Sequence, residues 1–227
     1  MNVNADLGEG AGPDDSILEH IDSASVACGV HAGSVTIALA TARLCRQRGV
    51  EIGAHPGYDD RAGFGRHELG LSAAEIEALV SFQVAGLAAV VPIAYVKPHG
   101  ALYHRCQQDA SVADAVARIA KAHGVGLMGQ PGLELQAAAR RAGIPGYREG
   151  FADRLLQADG KLAPRDQPGA ILDPDAAAAQ AVRLARSGQV DTICLHGDSP
   201  RSAEVAARVR RALREAGIET GPLARAG

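Results

Sequence analysis

Apolar residues recur along this chain in two alternating rhythms. Short β-rich runs fall at Asn2–Asp6, Ser23–Cys28, Val50–Ala54, Ala94–Lys97, Val125–Gly129, Gly146–Phe151 and Thr192–His196. Polar loops follow these runs, and then come longer stretches with helical spacing: Val35–Arg48, Ser72–Val91, Ala110–His123, Leu133–Ala142, Asp175–Arg186 and Arg201–Ala216. The first set predicts strands and the second helices. Ser72 opens a Ser-Ala-Ala-Glu pattern that places Glu75 at the third helical position, a capping box. Gly49, Gly124, Gly143, Gly188 and Gly217 follow helical stretches, where a C-cap glycine belongs. About seven βα repeats with no break in composition predict one parallel α/β domain over residues 1–227, as a closed barrel or an open doubly wound sheet. Leu155–Ala170 has no clear period and reads as a long loop or small hairpin over the site.

Composition narrows the function classes. A chain of 227 residues suits one large domain, and with 47% apolar residues it can bury a sizeable core. The formal charge is −3 with both signs mixed along the chain, and no basic stripe marks a nucleic-acid binder. No apolar run reaches the ~20 residues of a membrane span. The first ten residues, MNVNADLGEG, are acidic and polar where a signal peptide would be basic and then apolar. The expected location is the cytoplasm. Cys28, Cys45, Cys106 and Cys194 form no CxxC pair and read as reduced thiols, mostly buried. Abundant alanine and scarce aromatics predict small-residue helices packed closely on a sheet.

The candidate chemistry is positional. Asp6-Leu-Gly-Glu9 closes the first strand, Cys28-Gly-Val-His31-Ala-Gly33 the second, and Gly53-Ala-His55-Pro-Gly57-Tyr58 the third. Lys97-Pro-His99-Gly-Ala-Leu-Tyr103 closes the fourth, Glu149-Gly-Phe-Ala-Asp153-Arg154 the sixth and His196-Gly-Asp198 the seventh. Histidines and carboxylates thus recur beside glycine at the end of a parallel sheet where active sites lie. One strand-end histidine is more often structural than catalytic. Four of them, His31, His55, His99 and His196, shift the reading toward function. Asp6 alone would pass for a turn cap, Glu9 for a solvated side chain, and Arg154 beside Asp153 for a surface ion pair. Lys97 is harder to dismiss, because a lysine ending an apolar strand needs a partner. His20, His67, His104 and His123 read as structural.

Other motifs fall away. Gly124–Gly129 matches GxGxxG but lies within a predicted strand rather than after one. Gly160-Lys161 belongs to no GxxxxGK[ST] loop, and neither GxSxG nor HExxH is present. The residues alone point to a histidine- and carboxylate-rich hydrolase or lyase site.

The segments NADLGEG, ACGVHAGS, IGAHPGYDDRAGFGR, VKPHGALYH, EGFADR and ICLHGD, spread from residue 2 to residue 198, resemble the LamB/YcsF family in order and spacing. The resemblance implies a (β/α) barrel-like fold related to the glycoside hydrolase and deacetylase barrels. It also implies the A subunit of a three-component 5-oxoprolinase, which opens 5-oxo-L-proline to L-glutamate at the expense of ATP together with B and C subunits. The chain departs from the family in places. Cysteine is usual where Ala5 stands, so no cysteine nucleophile acts there. Ser34 replaces a usual aspartate, and Leu156 a common tyrosine.

A lactam is a stable amide, and phosphorylating its oxygen would let water attack. That step needs a base, a proton donor for the nitrogen and positive charge near the anionic oxygens. Asp6, His31, His55, Lys97, His99 and His196 are the expected catalytic set, with Asp6 or His99 as base and His196 orienting or protonating. Glu9, Tyr58, Arg66, Tyr103, Glu149, Asp153, Arg154 and Asp198 are the expected substrate contacts. Two alternatives stay open. One is a metal-dependent, deacetylase-like amidohydrolase with a divalent ion on Asp6, His31, His55, His99 and His196. The other is a non-catalytic component that presents substrate. ATP activation, which the resemblance implies, makes a metal dispensable.

Overall fold

The computed structural model describes residues 1–157, 162–165, 167–199 and 201–223. Seven strands appear where the pattern predicts them: β1 (Asn2–Leu7), β2 (Ser23–Ala27), β3 (Glu51–His55), β4 (Tyr95–Val96), β5 (Gly126–Gly129), β6 (Gly146–Phe151) and β7 (Thr192–His196). All neighbours pair in parallel, and β1 pairs β7 with Asp6 opposite His196, so the sheet closes into a barrel. The helices are α1 (Asp14–Leu18), α2 (Val35–Arg48), α3 (Ala73–Ala88), α4 (Gly100–Gln108), α5 (Ala110–Ala122), α6 (Glu134–Ala142), α7 (Pro174–Ser187) and α8 (Ser202–Glu215). Among the described residues, no helix is long and apolar enough to cross a membrane.

Strand alternation sorts the side chains. On β1, Val3, Ala5 and Leu7 join the hydrophobic layer between barrel and helices. Asn2, Asn4 and Asp6 take the other face, into the barrel. There Asn2 accepts from Ser23 at 2.9 Å and Thr192 at 2.6 Å, Asn4 donates to Thr192 at 2.8 Å, and the Ser25 and Tyr95 hydroxyls meet at 3.2 Å. The barrel interior is therefore largely polar, and these hydrogen bonds offset its desolvation. Tyr95, Met128, Tyr147 and Leu223 form a separate apolar cluster. Leu223 is anchored there by its N–H to Glu51, at the start of β3, 2.8 Å away. Gly53 makes room for this cluster, since a Cβ there would lie 2.1 Å from the Tyr95 ring.

Outside the barrel, α3 buries Ile76, Val80, Val84 and Leu87, spaced for one helical face. Each such side chain is worth about 1.5–3 kcal/mol when fully buried. The Ser72–Glu75 capping box forms, and Gly49, Gly143 and Gly188 take the left-handed C-cap conformation. Ser34 caps α2 by accepting from the Ile37 N–H, a task an aspartate performs equally well. Ala5 lies in the outer hydrophobic layer, so a side chain at that position faces away from the barrel interior.

Candidate active site

At the C-terminal end of the barrel, a cavity of about 260 Å³ opens over the strand ends. Its floor is an ionic cluster. Lys97, 2% exposed, donates to Asp6 at 2.6 Å and contacts Glu149 at 2.8 Å and the Cys194 sulfur at 3.1 Å. Tyr103 donates to the other Glu149 oxygen at 2.9 Å. Burial works against the ammonium, yet Asp6, Cys194 and Glu149 together hold the Lys97 pKa well above its ordinary value. Burial also opposes ionisation of Asp6, but His55 and Lys97 overcome it and hold the carboxyl well below the usual range. Asp6 therefore faces the cavity as a carboxylate.

Beside it stand three histidines. His55 lies at the end of β3 with Nδ1 2.7 Å from the Lys97 carbonyl, and His99 has Nε2 2.9 Å from the Phe64 carbonyl. A carbonyl only accepts, so these two nitrogens carry the protons. Their other nitrogens, His55 Nε2 and His99 Nδ1, face one another at 3.0 Å. His31 stacks flat on His99 with ring centroids 3.9 Å apart, behind the cavity wall rather than on it. Burial pushes the His31 pKa down to about 3 and carries His99 well below its ordinary value, reinforced by the neighbouring imidazoles. Glu9 lies 3.4 Å from His99 Nδ1 and 3.6 Å from His31 Nε2, and burial raises its pKa well above normal, with Asp6 and Asp198 adding to the effect.

The loop after β3 that carries Phe64 is held by close contact. Phe64 has φ of 56°, a left-handed conformation that costs a side-chain residue free energy and aims its carbonyl at His99. Gly100, with φ of 54°, lets Gly65 approach, because a Cβ there would sit 2.6 Å from the Gly65 carbonyl oxygen.

On the opposite side, His196 is fixed by Asp153. The carboxylate meets His196 Nδ1 at 3.0 Å and accepts its backbone N–H at 2.8 Å. This leaves Nε2 for a ligand. Asp198 binds Arg66 at 2.5 Å and Arg165 at 2.8 Å. Arg154 also lines the cavity, donating to the Ala163 carbonyl at 2.6 Å. It is 6% exposed, so it is a buried guanidinium and not the surface ion pair its neighbour Asp153 suggests.

Of the sequence candidates, Asp6, Glu9, His55, Arg66, Lys97, His99, Tyr103, Arg154, His196 and Asp198 line the cavity. Glu149 and Asp153 stand behind Lys97 and His196, and His31 behind His99. Tyr58 is the correction: it is fully buried in the outer hydrophobic layer, with its hydroxyl on Glu68 at 2.8 Å. Gln83 of α3 accepts the N–H of Gly57 and donates to its carbonyl, fixing the backbone just before Tyr58. Sequence reasoning misses Arg165, His104 and Cys194. Cys194 is legible in principle, because Thr192, Cys194 and His196 share one strand face. Arg165 sits in an aperiodic segment that gives no signal. His104 lines the cavity despite its structural reading. The described parts of Leu155–Ala170 do form antiparallel arms, through bridges Arg154–Ile171 and Leu156–Leu162, with Leu162–Arg165 over the cavity. Gly160-Lys161 lies outside the described residues.

Known proteins share this architecture. The LamB/YcsF family model matches residues 1–227. A Streptomyces coelicolor protein that bears the name of the A subunit of 5-oxoprolinase is 41% identical over 249 residues, spanning 99% of this chain and 100% of its own. The crystal structure of a lactam utilization protein from Thermus thermophilus superposes with a TM-score of 0.89 at 39% identity, covering 98% of this chain and 99% of that one. A family 4 carbohydrate esterase from Streptomyces lividans, 13% identical over 97% of this chain and 91% of its own, has a TM-score of 0.60 and shares the fold alone. The barrel, its motif-bearing strand ends and the full-length match agree: the chain belongs to the LamB/YcsF family.

Proposed function

We propose that this chain is the lactam-opening A subunit of an ATP-dependent 5-oxoprolinase, converting 5-oxo-L-proline to L-glutamate together with B and C subunits. The observation that carries the reading is the pairing, across one small cavity, of an ionised Asp6 and the Asp153-oriented His196 with the guanidinium groups of Arg66, Arg154 and Arg165. Drug-sized ligands take cavities of ~300–1,000 Å³. A space of about 260 Å³ suits a smaller polar molecule. The name of the S. coelicolor relative supports the same substrate.

The chemistry divides into steps that these groups serve. The ring carbonyl oxygen takes the γ-phosphoryl group of ATP and ADP leaves. Water then adds to the activated ring carbon and gives up a proton. The C–N bond breaks as the nitrogen takes a proton, and a second water releases phosphate from the resulting acyl phosphate to give glutamate. Asp6 is placed to accept the proton from water. His196, with Nδ1 held by Asp153, is placed to deliver one through Nε2 to the ring nitrogen. His99 is a weaker candidate for base, since Nε2 is held by Phe64 and Nδ1 faces His55. The arginines would hold the substrate carboxylate or the phosphoryl oxygens, where a planar bidentate donor is favoured.

The test is glutamate and ADP formation from 5-oxoproline by the purified chain, with each candidate partner added singly and with both. Turnover is expected only with both partners and ATP. The Glu9–His31–His55–His99 cluster favours a second reading, a metal-dependent amidohydrolase. Glutamate release by the isolated chain without ATP would establish it in place of the first.

A further inference from the structure

We infer that Glu9, His31, His55 and His99 form a binding site for a single divalent transition-metal ion of the zinc class. Four successive barrel strands, β1 to β4, each deliver one of these side chains at their C-terminal ends. Their donor atoms lie within 4.8 Å of one another.

Three observations carry the inference. The first is the direction of the lone pairs. His55 Nδ1 and His99 Nε2 donate to the carbonyls of Lys97 and Phe64, so the remaining nitrogens, His55 Nε2 and His99 Nδ1, face each other at 3.0 Å, with Asp6 Oδ2 3.4 Å from the former, and whenever both rings are neutral two lone pairs meet there. Two lone pairs at that distance repel unless a cation or a proton lies between them. Hydrogen bonds from the outer nitrogens to backbone carbonyls are also what orient metal-binding imidazoles.

The second is lack of satisfaction. Glu9 Oε1 and both nitrogens of His31 are buried without a hydrogen-bond partner. A buried polar group left so is destabilising, more so when charged. Glycines hold His31 in this position: a Cβ on Gly57 would lie 2.7 Å from Nδ1, and one on Gly65 2.8 Å from the His31 Cβ.

The third is distance. A tetrahedral ion with bonds of ~2.0–2.1 Å sets its ligand atoms about 3.3 Å apart. Three of the six separations among the four donors are 3.0 Å for His55–His99, 3.4 Å for Glu9–His99 and 3.6 Å for Glu9–His31, and none of the six exceeds 4.8 Å. Three imidazoles and one carboxylate are a donor set suited to zinc or a neighbouring first-row ion. The set differs from the one expected on sequence grounds. Glu9 enters, Asp6 is paired with Lys97 at 2.6 Å, and His196 is not among the four side chains whose donors converge. Bound there, such an ion would supply Lewis acidity at the cavity wall.

The inference rests on this geometry and not on the proposed reaction, so its test uses neither 5-oxoproline, ATP nor partners. Chelator-treated full-length protein is titrated with Co²⁺, read by its visible absorption, and then with competing Zn²⁺, with metal content measured after gel filtration. One equivalent is expected, with the intense absorption of a tetrahedral site. Glu9→Gln and His99→Gln should each weaken binding about 100-fold or more, and His196→Gln should leave it unchanged. Zn²⁺ should raise the melting temperature of the wild type, a readout that stands even if one variant folds poorly. Uptake below a tenth of an equivalent at ~10 µM free metal would overturn the inference. So would well-folded Glu9→Gln and His99→Gln variants that bind as the wild type does. A shared proton between His55 and His99, seen by imidazole ¹⁵N NMR in protein that takes up no metal, would overturn it equally.

Discussion

Lys97 holds two carboxylates that, among the described residues, nothing else in the barrel floor neutralises as directly. Its ammonium lies 2.6 Å from Asp6 and 2.8 Å from Glu149, all three essentially buried. Removing the charge from such a cluster strands its partners, which typically costs about 3–5 kcal/mol. Lys97→Met, close in length and apolar, should therefore lower the unfolding free energy by roughly that amount in urea melts. A change below about 0.5 kcal/mol, the size typical of surface substitutions, would show that the floor does not depend on the ammonium. At this scale the sequence is informative where glycine flanks a strand end, as at His31, His55, His99 and His196. Asn4 and Cys194, which share strand faces with Asp6 and His196, go unnoticed although a two-residue period is enough to reach them. Tyr58 misleads because its register depends on Gln83, 25 residues further along the chain and invisible to a local pattern.

Six helices, α2, α3 and α5–α8, are legible from their period, caps and glycines. The two others are not, because five residues in α1 are too few to display a face, and α4 begins inside the PHGALY motif. The α4–α5 junction gives an element-scale test. Asp109 caps α5 by accepting from the Ser111 and Val112 N–H groups. Asp109→Ala should cost about 1 kcal/mol, as such caps do. The Ser111 hydroxyl, then Arg105, hold the Asp109 carboxyl at about 2, below its ordinary value. A folded pKa below the unfolded one means that this contribution is complete above about pH 4 and is lost as pH falls toward 2. Asp109→Asn keeps the cap and should flatten stability against pH in that acid window. An unchanged slope would remove the carboxylate from the account.

At the scale of the molecule, the repeat of strand and helix announces a parallel α/β fold, while closure is decided by the β1–β7 pairing between the two ends of the chain. Local periodicity cannot report such a contact, and the family resemblance supplies the barrel. Closure is also what brings Asp6 opposite His196, and so brings the proposed base and proton donor to one cavity. The arginine side is only partly legible, because Arg165 reaches Asp198 from the segment over the barrel mouth. The central claim is that the lactam is opened in this cavity. Single-turnover glutamate release by this chain assembled with the proposed B and C partners tests it most directly, comparing wild type with Asp6→Asn at matched folding by circular dichroism. A general base contributes ~10²–10⁴ in rate, so the variant should release glutamate at least about 100-fold more slowly. Glutamate release at near wild-type rate from a correctly folded, assembled Asp6→Asn enzyme would contradict the account.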